Sequence, residues 1–174
     1  MLRGFVLALA LVACSQPVAP RPAPPPQPSA EESAVLDAMD RFIRTISSNN
    51  LDDLQTQQVT GGMTFRAQRH DDGTWTIIDR PNSFWADPAH DPGVAFRARY
   101  WSPIVHVRGP VAVVWAPYMF WINGEPSHCG YDALTFIKRD GEWRISNSAW
   151  TVEPRACDAL QPPDPAAMRP ADQS

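Results

Sequence analysis

The hydrophobic positions of the chain follow two different periods. Val35, Met39, Phe42 and Ile46 recur at helical spacing, and Leu36 and Ile43 widen the stripe. Asp37, Asp40, Arg41 and Arg44 fill the other face, so the spacing predicts an amphipathic helix of about four or five turns. Ser29 with Glu32 three positions later reads as a capping box at its start, and "SSNN" at 47–50 marks its end. A second short helix is predicted from Asn50, with Leu51 and Leu54 facing in and Gly61-Gly62 beyond it. After the glycines the pattern becomes that of strands. "MTFRAQR" and "WTIIDR" flank Asp71-Asp72-Gly73-Thr74, a hairpin signal. "PNSFWADPAHDPG" reads as a loop or a broken helix. Four longer strands follow, near 96–107, 111–122, 128–138 and 143–152, joined by "RGP", "NGEP" and "DG". The fold class is therefore α+β: N-terminal helices followed by a long antiparallel meander.

The run from Val111 to Cys157, above all "HCGYDALTF" and "DGEWRI", resembles the SnoaL-like and lumazine-binding-like branch of the nuclear transport factor 2-like superfamily. The likeness covers the domain loosely and its last third closely. It implies a cone, in which a strongly curved antiparallel sheet wraps the N-terminal helices and leaves a pocket open at one end. It also implies homodimers in many members. It does not imply one activity, because this fold serves isomerases, cyclases, dehydratases and non-catalytic binders alike.

The ends of the chain carry different information. "MLRGFVLALALVACSQ" has a cationic start at Arg3 and a short apolar stretch, too short to span a bilayer, which takes about 20 apolar residues. It reads as a signal peptide over 1–13. Leu11-Val12-Ala13-Cys14 resembles a bacterial lipobox, which implies cleavage before Cys14 and lipidation of its thiol; an ordinary signal peptide with Cys14 left free is the alternative. Residues 14–28 then form a tether, with seven prolines in "PVAPRPAPPPQP" and a preference for stiff, extended backbone. Ser15 is not the aspartate associated with inner-membrane retention, so the resemblance implies an outer-membrane lipoprotein facing the periplasm. The folded domain is placed at 29–157, and the Pro- and Asp-rich segment 158–174 reads as mostly disordered. The net charge of −4 without a basic patch argues against nucleic acid as a partner.

If Cys14 carries lipid, Cys129 and Cys157 remain as a pair, and an oxidising compartment would suit a disulfide. Zinc at His128 and Cys129 is the alternative. Adjacent residues on a strand point to opposite faces, which argues against it. No metal or other cofactor is expected.

The turns assign the strand faces. A two-residue loop at Asp140-Gly141 sets Arg139 opposite Glu142, and a four-residue loop "NGEP" sets Ile122 opposite Ser127. One face then carries Tyr118, Tyr131, Trp150, Cys129 and Val152, with Arg97 and Arg99. The other carries Trp115, Met119, Trp121, His128, Asp132, Leu134, Phe136, Trp143, Ile145 and Asn147. The second face is bulky and apolar with a few polar groups, the make-up of a ligand pocket, and is assigned to the inside of the cone. Tyr100, Trp115, Met119, Trp121, Phe136 and Asn147 are the expected ligand contacts. His128 and Asp132 are the candidate catalytic residues. Four residues apart on a strand, about 13 Å at ~3.3 Å each, they cannot form a dyad. Asp132 is either a general base or a buried structural acid. Three functions stay open: a small-molecule binding module, an isomerase, dehydratase or hydrolase using Asp132 as base, and an interaction surface on the outer face.

Overall fold

The computed structural model describes residues 27–170 except 86, 88 and 90–92. The expected signal peptide, Cys14 and most of the expected tether lie outside the described residues. Helix α1 (Ala30–Ser48) starts at the predicted capping box: Ser29 Oγ accepts the Glu32 amide at 3.2 Å, and Glu32 accepts the Ser29 amide at 2.6 Å. It ends where Asn49 turns left-handed. Helix α2 (Leu51–Thr56) is capped by Asn50, whose side chain accepts from Asp53. The strands β1 (Met63–Arg69) and β2 (Trp75–Pro81) pair as the predicted hairpin, and a short helix, α3 (Asn82–Trp85), follows.

The rest of the chain supplies β3 (Phe96–Tyr100), β4 (Ile104–Arg108), β5 (Val111–Ile122), β6 (Glu125–Arg139) and β7 (Glu142–Val152). The order is β2-β1-β7-β6-β5-β3, with β4 beside β5 below β3. The sheet is mixed rather than wholly antiparallel, because β1 lies parallel to β7 with Arg66 beside Trp150. The expected strand over 96–107 is broken at Trp101-Ser102-Pro103, where Ser102 takes a positive φ of 44°. Pro103 has no amide proton for a ladder, and the break faces Pro117 of β5 across the sheet. Helix α1 packs its apolar stripe onto this sheet. Val35, Met39 and Phe42 meet Ala112, Val114, Phe136 and Ile145 in one buried cluster, which holds the helix along the concave side.

Two bulges set the faces. Asn123 and Gly124, with φ of 52° and 83°, form a tight two-residue turn, so Ile122 opposes Glu125. Ser127 is then left over, and from Phe120–His128 onward partner numbers sum to an even value. A second extra residue, Ser146 on β7, shifts the β6–β7 register between Thr135 and Phe136. The expected four-residue "NGEP" loop is thus a two-residue turn followed by a bulge. One residue of slip exchanges the two faces of a strand, so β5 and the far half of β7 are inverted relative to expectation.

Cys129 and Cys157 are joined by a disulfide, with Cα atoms 5.0 Å apart. The tail expected to be disordered is packed as far as Pro170. Met168 is buried, Tyr100 and Arg169 exchange backbone hydrogen bonds at 2.7 Å, and Arg169 clamps the Asp40 carboxylate at 2.6 Å. Asp40 also accepts from Tyr100 Oη at 2.6 Å. The composition of 158–174 hid this because isolated contacts at Met168 and Arg169, not a periodic pattern, fasten the segment.

Candidate functional site

A cavity of about 460 Å³ opens between the helices and the concave face of the sheet. Phe42, Ile43 and Ile46 of α1 and Leu51 and Leu54 of α2 form one wall. The opposite wall is made by inward rows of the sheet. One row runs Arg66, Trp150, Asp132, Ala116 across β1, β7, β6 and β5, and beside it run Thr64, Ser148 and Leu134. Phe120 and His128 close a further row, and Trp85 of α3 reaches Trp150 with ring centres 5.9 Å apart. The lining is mostly apolar and aromatic with few polar groups, as small-molecule sites are.

Asp132 is a buried carboxyl in this wall. It is 9% exposed, and its carboxyl makes no hydrogen bond or ion pair among the described residues. Burial alone pushes its pKa up from 3.8 to about 7. A carboxyl in that state exchanges a proton near neutrality and accepts or donates a hydrogen bond to whatever enters. Tyr118 stands two positions along β5 from Ala116, the cross-strand neighbour of Asp132. Its hydroxyl donates to the Thr151 carbonyl at 2.7 Å, and burial, then the charge of Asp132, raise its pKa. Tyr118 is thus a committed packing group, not a free proton donor.

His128 stacks on Phe120 with ring centres 5.0 Å apart and meets the Tyr118 ring edge-on at 5.7 Å. Its Nδ1 is 3.0 Å from Ser127 Oγ. Burial, then the positive charge of Arg66, lower its pKa to about 4, so the ring is neutral at physiological pH. Arg66 itself is half-buried in the cavity wall and donates to Gln68 Oε1. At the floor, Thr64 Oγ1 lies 3.1 Å from Ser148 Oγ and 3.0 Å from Asn82 Oδ1.

The two candidate catalytic residues, Asp132 and His128, both line the cavity. The six expected ligand contacts do not. Trp115 lies on the outer face at 47% exposure, stacked on Tyr131 at 5.0 Å. Met119 and Trp121 share that face, Trp121 beneath the Arg97 guanidinium at 5.2 Å. All three were misplaced by the slip at "NGEP". Phe136 points inward but is wholly buried under α1, beyond the cavity. Tyr100 is wholly buried and its hydroxyl is spent on Asp40. Asn147 faces out, where its Oδ1 accepts the Met63 amide at 2.9 Å; the Ser146 bulge turned it. The same bulge puts Trp150 opposite Asp132, where the register set by Arg139 opposite Glu142 would put Ala149. Trp150, Tyr118 and Val152, expected on the outer face, line the cavity instead, and Phe120, Arg66 and Trp85 were missed. The alternation in "TFRAQR" was a signal for Arg66, since Thr64, Arg66 and Gln68 share one face.

No family model matches the sequence, and no curated protein matches it. Solved structures do match. A nuclear transport factor 2-like protein from Cytophaga hutchinsonii is 15% identical, with 71% of this chain and 99% of that chain covered and a TM-score of 0.58. The beta subunit of a candidate aromatic-ring-hydroxylating dioxygenase from Novosphingobium aromaticivorans is 16% identical over 71% of this chain and 89% of that chain, TM-score 0.59. A candidate scytalone dehydratase from the same organism is 10% identical over 70% and 83%, TM-score 0.53. The chain therefore has the nuclear transport factor 2-like fold: α+β, with helices packed in a curled sheet.

Proposed function

We propose that this domain takes up a small, flat, mainly apolar or aromatic molecule in the cone cavity and meets its one polar group with Asp132. The observation that carries this reading is a buried carboxyl with no hydrogen-bond or ion-pair partner among the described residues, set among Trp150, Tyr118 and Leu134 in an apolar cavity. An unpartnered buried acid costs stability. It is explained if a ligand hydroxyl or amide completes it. Thermal-shift and calorimetric screening of hydroxylated bicyclic aromatics tests the reading. Ligands that raise the melting temperature of the wild type and lose most of that effect in Asp132→Asn support it. No shift across such a panel contradicts it.

A second reading, favoured by the near-neutral pKa of Asp132, is catalysis. Asp132 would act as general base, withdrawing a proton from a bound substrate in an isomerisation or dehydration or from an attacking water in a hydrolysis, with His128 as a neutral hydrogen-bonding helper. Turnover by wild type that vanishes in Asp132→Asn while binding persists separates catalyst from receptor.

For the setting, we infer export and lipid anchoring at Cys14, supported by the leader, the lipobox-like "LVAC" and the proline tether, and by a disulfide that suits an oxidising compartment. Globomycin-sensitive processing, with membrane release in Cys14→Ser, is the expected behaviour. The exposed outer-face row of Phe65, Trp115 and Ile104 is where a second copy would sit; light scattering on Trp115→Glu reads that pairing.

A further inference from the structure

Arg66 sits in the cavity wall in line with Trp150 and Asp132, and its charge is unneutralised there. Its side chain donates to Gln68 Oε1, and no carboxylate pairs with it among the described residues. An arginine stays protonated under all physiological conditions. The neighbours do not soften that charge: His128 and Tyr118 both feel it as a cation. Asp132 is not its partner, because burial alone governs that carboxyl. The acid and the cation stand on strands separated by β7, roughly 10 Å apart in backbone spacing, with the Trp150 ring between them. An apolar pocket that holds a cation at one end and, at the other, a carboxyl with no partner among the described residues is built for a molecule polar at both ends.

Resting on the pocket reading above, we propose that the ligand carries a carboxylate, which Arg66 binds with its free donors while the ring system lies along Trp150 and a hydroxyl or amide meets Asp132. Gln68 acts as a positioning residue, holding the guanidinium toward the cavity through its Oε1. A planar fork of donors suits a carboxylate geometrically, and such charge-assisted pairs are about twice as strong as neutral hydrogen bonds.

Calorimetry on the full chain tests this with 6-hydroxy-2-naphthoate and its neutral counterpart 6-hydroxy-2-naphthamide, which share ring and hydroxyl. The wild type is expected to bind the acid about tenfold tighter or more. Arg66→Gln should bring the two affinities together, and Asp132→Asn should keep the preference for the acid while weakening both. Circular dichroism checks that the variants fold, and the wild-type comparison stands by itself if Arg66→Gln does not. Equal affinities in the wild type, or a preference for the acid that survives Arg66→Gln, overturn the carboxylate assignment and leave the pocket reading intact. Binding of neither probe overturns both.

Discussion

Asp132 on β6 and Trp150 on β7 stand directly opposite each other on the concave face of the sheet. That pairing exists because Ser146 bulges out of β7 and donates to the Thr135 carbonyl at 3.1 Å. It surrounds a carboxyl with an indole, a leucine and a phenol, and leaves it no hydrogen-bond donor among the described residues.

The first consequence concerns stability. The folded pKa of Asp132, about 7, lies above the 3.8 of an unfolded aspartate. Between those values the native state binds the extra proton, so this group makes the protein less stable as pH rises through the window. Above pH 7 the full penalty is present, up to about 4 kcal/mol. Asp132→Asn should therefore melt higher than wild type at pH 8, and the gain should disappear by pH 4. Melting curves across that range check it.

His128 acts with the opposite sign. Its folded pKa of about 4 lies below the ordinary 6.5, so the unfolded chain binds the proton first. Its contribution is present above pH 6.5 and is lost as pH falls toward 4. Asp132 and His128 therefore offset each other between pH 4 and 6.5, and the wild type should have a nearly flat stability profile there. His128→Gln should uncover the Asp132 slope, with stability rising as the solution is acidified through that interval. A parallel profile in wild type and variant would contradict the assignment.

The disulfide and the clamp at Arg169 secure the same segment from its two ends. Cys129 and Cys157 are 28 positions apart, which corresponds to about 3–4 kcal/mol in the chain-entropy account. Cys157→Ser should lower the melting temperature by several degrees. Arg169→Ala, which strands the Asp40 carboxylate beside Tyr100, should add to the loss and release residues 158–170 to limited proteolysis. Equal protease resistance in wild type and both variants would show that neither fastening orders the tail.

Much of this fold was legible in advance because its signals are local. The Ser29–Glu32 box, the stripe from Val35 to Ile46, and the Asp140-Gly141 turn each act within a few residues. Asp132 and His128 were placed in the pocket because both lie on β6, four positions apart on one face, with no bulge between them. The aromatic contacts failed for the complementary reason. Whether Trp115 or Tyr118 faces inward depends on one extra residue at Ser127, and whether Asn147 or Trp150 does depends on Ser146. Nothing in a period-two pattern marks which serine is surplus. Gly130 offers a partial clue: a methyl group there would collide with the Thr151 carbonyl oxygen, so only glycine lets β7 approach at that point. The tail was misread because an Arg169–Asp40–Tyr100 contact spans 129 positions and leaves no trace in composition.

The most direct test of the whole account is the titration of Asp132 itself, followed by the 13Cγ chemical shift of labelled aspartate in the ligand-free protein, with Asp132→Asn assigning the signal. A midpoint near pH 7, moving on addition of 6-hydroxy-2-naphthoate, is the predicted result. A midpoint near the ordinary 3.8, unmoved by that probe, would mean that the carboxyl is solvated and that the cavity holds no buried acid for a ligand to meet.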